Sequence, residues 1–501
     1  MTSAQPILID GSTLEGGGQI LRVTTACSLI TRKPLRVVNI RANRPKPGLS
    51  AQHVSVVALL SSILQGTRMK GGEIGSCVLE ITPPLQSCPS SSSSSSSSPL
   101  YQASYTSDCG TAGAISLITQ AALPCLTFSP TNNSHISLTL KGGTNVNFSP
   151  PIDHTELVLL PLLRSIGFDI QFEVVKRGYY PVGGGEVALK VMPTLPIRAF
   201  SLTDRGQIDK VTCVIFGEGP SYNTLSQELG AELKNRLQKF FTAPGTDYKE
   251  ITFDFIHVPG AQNNRHHHKQ AKRSNSSLGV QICAHTTTNV ILSANHLECS
   301  RDDFKDYPVT TKIIDSVMGK LSHLIESGAC VDEYTADQLI IFMAFLPYTS
   351  KLLVEPSTEH SSLHLQTSIE MVKKMSNAEF SIESAENRCR LIICTKPDIE
   401  AGSKAMEPII ADQGSTDNND NNSTQSMDEV MADEKTANIE RLLSIARGKA
   451  AENKVMIDNR TTTTATASSR SQFSTSVTLS SASSIETMMS APLEKRVRKK
   501  R

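Results

Sequence analysis

A chain of 501 residues has room for two or three domains, but 49 basic against 48 acidic side chains leave a formal charge of +1 and exclude a global basic field for nucleic acid. The eleven cysteines are scattered without a Cys-x-x-Cys pair, and Cys27, Cys125 and Cys394 sit in apolar runs. This argues for buried free thiols in a reducing compartment and against structural zinc. No run approaches the ~20 apolar residues that span a bilayer, and no basic-then-apolar leader opens the chain, so a soluble intracellular protein without membrane contact is expected.

The first element follows Ile9-Asp10-Gly-Ser-Thr-Leu-Glu-Gly-Gly-Gly-Gln-Ile-Leu-Arg22. Ile20, Leu21, Val23, Ala26, Leu29 and Ile30 fall on one helical face. Gly16, Gly17 and Gly18 just before it permit either a tight turn or a close backbone approach to an anion at a helix start. Neither a Gly-x-Gly-x-x-Gly nor a Walker pattern is present. Glu15 suits a divalent metal, or the positive end of the helix. Val37–Arg41 reads as a strand. It leads into a basic segment, Ile40-Arg-Ala-Asn-Arg-Pro-Lys-Pro-Gly-Leu-Ser-Ala-Gln-His53, in which Arg41, Arg44 and Lys46 join Arg22. Guanidinium forks match phosphate oxygens bidentately, which suits a terminal phosphate, although ordinary surface arginines would look the same.

Downstream, the serine run 90–98 (loop 87–99) reads as an elongated surface loop. Strand patterns occupy Ile136–Leu140 and Glu186–Lys190, with a helical face on Leu157, Leu160, Leu163 and Ile166 between them. Next come Arg177-Gly-Tyr-Tyr-Pro-Val-Gly-Gly-Gly-Glu186, a helical pattern over Leu225–Phe241, and strands over Ile251–His257 and Val280–Ala284. Asn263–Lys269 carries three consecutive histidines, a metal site or a solvated loop. Asp332-Glu-Tyr-Thr-Ala-Asp-Gln-Leu339 opens another apolar face on Leu339, Ile340, Met343 and Ala344. His364 is placed just before a helix containing Ile369, Val372 and Met375. There the dipole would keep the ring neutral and nucleophilic, or the ring would merely make a structural hydrogen bond. From Ala401 onward the chain is too polar to offset its ordering entropy, with one short helical pattern at Ile439–Arg447. Its last residues, Leu493–Arg501, form a basic cluster that reads as a nuclear import signal or as a solvated tail.

Alternating strands and helices imply an α/β or α+β fold. A weak echo among the helices following Gly17, Ala112 and Ala336 suggests a repeated unit. Taken in order, the glycine turn, the basic segment, Arg177–Glu186, Asp332–Leu339 and the segment around His364 resemble the RNA 3′-terminal phosphate cyclase family over residues 7 to 395. The resemblance implies three βαβαββ units in a large domain (1–203 and 301–398) and a smaller α/β domain inserted at 204–300; the tail at 399–501 departs from the family pattern and is expected to be disordered from its composition. It implies that His364 attacks ATP and carries AMP, and that Glu15 binds magnesium or manganese. Gln19, Arg22, Arg41, Arg44 and Gln52 would line the RNA-end phosphate site. Tyr334 and Pro151 (or the adjacent Pro150) would flank adenine, with Asp337, Gln338 and Gln120 completing the nucleotide pocket.

The reaction so implied converts an RNA 3′-phosphate into a 2′,3′-cyclic phosphate through protein-AMP and RNA-adenylate stages, with RNA 3′-phosphate ends as the partner; the basic tail, read as an import signal, places the protein in the nucleus and leaves the cytoplasm open. Two alternatives compete. One is a non-catalytic cyclase-like factor of pre-rRNA processing, which lacks the nucleophilic histidine; His364 in its His-x-x-Thr context argues against it. The other is an enolpyruvyl transferase built from related repeats, which would form no protein-AMP adduct.

Overall fold

The computed structural model describes residues 5–84, 101–128, 134–193, 197–243, 248, 251–260, 276–300, 303–304, 308–356 and 359–396. The serine run, the Asn263–Lys269 segment and the polar tail, including Ile439–Arg447 and Leu493–Arg501, lie outside the described residues.

One six-element pattern occurs three times. The first copy runs β1 (Ile7–Asp10), α1 (Gly18–Thr31), β2 (Leu35–Val38), α2 (Ala51–Ile63), β3 (Arg68–Lys70) and β4 (Leu79–Thr82). The second runs β5 (Ser104–Asp108), α3 (Ile115–Thr127), β6 (Ile136–Gly142), a helical stretch, β7 (Ile170–Lys176) and β8 (Gly185–Val191). That stretch is α4 (Ile152–His154), a π turn at Thr155–Leu159 and α5 (Leu160–Ile166). The third copy opens with β9 (Ser201–Leu202) and is interrupted by β10 (Ile208–Glu218), α6 (Tyr222–Phe241), β11 (Thr252–His257), β12 (Ser276–Thr286), β13 (Ile291–Ser300) and α7 (Val309–Ser327). It then resumes with α8 (Glu333–Phe345), β14 (Ser350–Val354), α9 (Glu359–Met375), β15 (Glu379–Ser384) and β16 (Arg390–Thr395).

The sheet orders β1-β2-β4-β3, β5-β6-β8-β7 and β9-β14-β16-β15 are the same arrangement three times. In each, the first pair is parallel and the other two antiparallel. The parallel neighbours are joined through a helical crossover, whereas the consecutive strands β3–β4, β7–β8 and β15–β16 reverse direction through a loop and pair antiparallel. Strand β6 alternates buried and half-buried residues along its whole length, as a sheet covered on one face requires. Helices α1, α2, α3, α8 and α9 join these sheets in one core containing Ile20, Leu60, Ile118, Leu339 and Val372.

The interruption makes its own sheet, ordered β11-β10-β12-β13, on which α6 and α7 pack. Its core contains Leu229, Leu233, Val280, Ile282, Ile313 and Val317, so α7 belongs to it although that helix lies beyond residue 300. A small third cluster sets Tyr179 against Val214, Phe216 and Ile256. The segment Arg177–Glu186 is thereby anchored to the inserted sheet.

Two local expectations change. The strand expected to reach Arg41 stops at Val38, because Asn39 and Arg41 adopt left-handed φ values of 52° and 53° and turn the chain away from the sheet. The face Leu157–Ile166 is helical but begins in the π turn, a widening that its periodicity does not encode. Cys27, Cys125 and Cys394 are buried as expected, and burial pushes the Cys394 thiol up to about 12.

Candidate active site

The site grows from the turn between β1 and α1. Gly16 takes φ +59° and Gly17 caps α1 with no side chain of its own. A Cβ on Gly18 would fall 2.4 Å from Nε2 of His53 and 2.9 Å from an Arg22 guanidinium nitrogen, so the missing side chain lets two others converge on the helix start. Glu15, before the turn, does not cap the helix. Its Oε1 accepts from Arg44 at 2.6 Å, and its carbonyl accepts from the same guanidinium at 3.0 Å. The other carboxylate oxygen, Oε2, is buried without a hydrogen-bond partner. Arg41 folds back to donate to the Gly48 carbonyl at 2.8 Å.

His53 ends the basic segment, in the first turn of α2. The Ser50 amide donates to its Nδ1 at 3.1 Å, which leaves the hydrogen of the neutral ring on Nε2, facing Gly18. Burial, with the Arg22 and Arg41 guanidiniums adding to it, pushes the ring down to about 3. His53 therefore stays neutral across the physiological range.

Arg22 lies in α1 with 8% of its surface exposed, and its Nε donates to Oε1 of Gln120 in α3 at 3.1 Å. Burial lowers its proton affinity, and the Asp337 and Glu15 carboxylates oppose that. A buried guanidinium with only part of its fork used is suited to an incoming phosphate.

Gln19, one helical turn earlier, is the hub between repeats one and three. Its Nε2 donates to Asp337 Oδ2 at 2.8 Å, to Ser368 Oγ at 2.6 Å, and more weakly to the His364 carbonyl at 3.3 Å. Its Oε1 faces Nδ1 of His364 across a short contact. The Glu15 amide also reaches Thr367 Oγ1, at 3.3 Å. Burial pushes Asp337 up to about 7, against the lowering effects of Arg22 and of the Gln19 hydrogen bond. His364 is not at a helix start: α9 begins at Glu359, so the ring stands past the first turn. The dipole acts mainly on the terminal turn, and side chains rather than the helix end govern this histidine.

Tyr334 and Gln338 share the start of α8, where Gln338 Nε2 donates to the Tyr334 carbonyl at 2.9 Å. Asp332 caps that helix, accepting from the Tyr334 and Thr335 amides at 2.9 and 3.0 Å. The same carboxylate meets Nε2 of buried His154 at 3.0 Å, and the His154 ring stands edge-on to Tyr334 with centroids 5.6 Å apart. Pro151, three residues before His154, caps α4, and the Pro150 carbonyl accepts from Ser116 at 2.7 Å. The adenine-flanking candidates are thus tied together through His154.

Of the sequence candidates, Glu15 and Arg44 are paired, Arg22 and Gln120 are paired, and Gln19, Asp337 and His364 form one chain of contacts. Gln52 stands apart from these bonds, beside Gly113 at the start of α3.

A sequence profile described as RNA 3′-terminal phosphate cyclase matches residues 13–382. The chain belongs to the RNA 3′-terminal phosphate cyclase family. A probable RNA 3′-terminal phosphate cyclase of Dictyostelium discoideum is 31% identical over 386 residues, covering 76% of this chain and 78% of its own. RNA 3′-terminal phosphate cyclases of Drosophila melanogaster and Metallosphaera sedula are 29% and 32% identical, covering 79% and 75% of this chain and 97% and 96% of theirs.

Four residues in contact with these candidates were not singled out in the sequence: His53, Ser368, His154 and Asp332. His53 closes the basic segment, and that position was its only signal. Ser368 lies one helical turn beyond His364, an i, i+4 spacing that places both on one face. Nothing local joins His154 to Asp332, 178 residues apart.

Among the described residues no three His, Cys, Asp or Glu side chains gather as a metal cage. The buried, unpartnered Oε2 of Glu15 nevertheless fits a cation that takes one carboxylate and completes its shell with phosphate oxygens and water.

Proposed function

We propose that this chain converts an RNA 3′-terminal phosphate into a 2′,3′-cyclic phosphate at the expense of ATP, with His364 as the adenylylated nucleophile. The observation that carries this reading is the contact chain Asp337–Gln19–His364, which orients the imidazole, with the buried guanidinium of Arg22 one helical turn from Gln19.

On this reading the His364 nitrogen attacks the α-phosphorus, the bond to the pyrophosphate oxygen breaks, and pyrophosphate leaves. An RNA 3′-phosphate oxygen then takes the AMP, and the electron pair of the N–P bond returns to the imidazole. Finally the vicinal 2′-hydroxyl attacks the 3′-phosphorus, its proton passes to water, and the phosphoanhydride P–O bond breaks so that AMP departs with its electron pair. This last step closes a five-membered ring between adjacent groups, so proximity supplies much of its drive. Arg22, Arg41, Arg44 and Gln52 would hold the RNA end. Tyr334, Pro151, Gln338, Gln120 and Asp337 would form the nucleotide pocket, with Tyr334 offering a ring face for adenine. Magnesium or manganese at Glu15 would offset charge on the transferring phosphoryl group. We further propose nuclear residence, directed by the basic cluster Leu493–Arg501; a fluorescent fusion lacking those nine residues should lose nuclear accumulation.

The decisive test is incubation with α-labelled ATP and either metal, followed by a denaturing gel. Acid-labile label is expected on wild type and not on His364→Ala. The labelled protein should then close an oligoribonucleotide 3′-phosphate to a phosphatase-resistant end. No label on folded protein that still binds nucleotide would overturn the catalytic reading in favour of a non-catalytic processing factor.

A further inference from the structure

Gln19 is engaged at both ends of its amide, and that decides which nitrogen of His364 carries hydrogen. An amide nitrogen only donates and an amide oxygen only accepts. The atom 2.8 Å from the Asp337 carboxylate, and also near the His364 carbonyl, must be the nitrogen, because both neighbours accept. Ser368 Oγ at 2.6 Å takes the second amide hydrogen. A flipped amide would set an oxygen against a carboxylate and a carbonyl in a buried place, so the orientation is determined by its neighbours. The amide oxygen is then left facing Nδ1 of His364, which has to be the donor.

We infer that Gln19, clamped by Asp337 and Ser368, is a positioning residue that holds His364 in the tautomer with hydrogen on Nδ1 and the lone pair on Nε2. This replaces the phosphate-binding role that the family resemblance implies for Gln19, and it rests on the reading of His364 as the AMP acceptor. The tautomer of a histidine is set by the bond its other nitrogen makes, so one acceptor suffices. As the Nε2–phosphorus bond forms, positive charge spreads over the ring and the Nδ1–H···O bond strengthens. The amide oxygen thus favours the transition state over the ground state. No proton moves in either direction: Nδ1–H persists while the Nε2 pair binds phosphorus and is later returned.

The test is nitrogen NMR of full-length protein labelled with ¹⁵N-histidine, the His364 signals being those missing in His364→Ala. It is paired with single-turnover adenylylation using α-labelled ATP. Wild type should show Nδ1 as the protonated nitrogen. Gln19→Ala should shift His364 toward a tautomer mixture and slow adenylylation at saturating ATP by roughly 10–100-fold, the usual cost of losing a partner that orients a functional histidine. KM for ATP should change much less than the rate, since Gln19 touches the nucleophile directly and the nucleotide pocket only through Asp337. Hydrogen on Nε2 in wild type, an unchanged rate in Gln19→Ala, or a loss lying wholly in KM would each overturn the inference. The wild-type spectrum decides the tautomer even where the alanine variant fails to fold. Absence of label on wild type would count against the adenylylation reading alone, because the spectrum reads the tautomer independently.

Discussion

Replacing Arg177 by alanine should destabilise the protein by ~3–5 kcal/mol, the usual cost of leaving one member of a buried ion pair uncompensated. Arg177 grips Asp153 with both arms of its fork, at 2.5 and 2.8 Å, and also reaches Asn145 Oδ1 at 3.2 Å. The two side chains are only 10% and 2% exposed, so water cannot take over from the guanidinium. Unfolding entropy of about 2.1 cal/mol/K per residue, over a folded span of roughly 390 residues ending near Thr395, gives ~0.8 kcal/mol per degree. The melting temperature should therefore fall by ~4–6 °C, read by scanning calorimetry at pH 7. The pH dependence supplies a second check. Burial raises the Asp153 pKa, but Arg177 more than offsets it and holds the carboxyl below the ordinary value of 3.8. In wild type the pair's contribution is present above the unfolded pKa and lost as pH falls through the depressed one. In Arg177→Ala burial is opposed only by the Asn145 and backbone hydrogen bonds, so Asp153 should take up a proton more readily on mild acidification and the penalty should shrink between pH 7 and pH 5. A fall of less than 1 °C at pH 7, or a penalty independent of pH, would refute the reasoning.

Gly18→Ala should cut RNA-end cyclisation by about a hundredfold, since a 1 Å misplacement can cost that much and the new Cβ would displace His53 and Arg22; activity within threefold of wild type would contradict it. Asp337→Asn should melt higher than wild type at pH 8. Burial lifts Asp337 to about 7, so the folded state binds the proton more tightly than the unfolded chain, and stability falls as pH rises from about 4 to 7. The gain should shrink at pH 5, and an equal gain at both values would show that ionisation is not its origin. Tyr334→Ala should raise KM for ATP more than it lowers kcat, as expected of a stacking platform; a pure kcat effect in steady-state kinetics would remove Tyr334 from the nucleotide pocket.

Much of this protein is legible in one dimension because its elements carry their own periodicity. The face of α1, the alternation of β6 and the apolar run of α8 mark helix and strand before any tertiary contact exists. The glycines before α1, the clustered arginines and the order of the motifs point to a phosphate-handling site and to the family. Backbone turns with little side-chain signature were less legible. Asn39 belongs to a type that tolerates the left-handed region, but nothing in Arg41 announces it, and β9 is two residues long.

By itself, then, the sequence determined the alternation of strands and helices and the residue types available for the chemistry, since periodicity and composition are local properties. Only the tertiary structure decided which of those residues act on one another. Gln19 meets His364 across 345 residues and Asp337 across 318. His154 meets Asp332 across 178. It also moved His364 away from a helix end and into reach of an amide, because α9 begins earlier than its apolar pattern does. The physical reason is that a hydrogen bond depends on distance and angle in space. Packing α1 against α9 sets both, and no spacing along the chain records that packing.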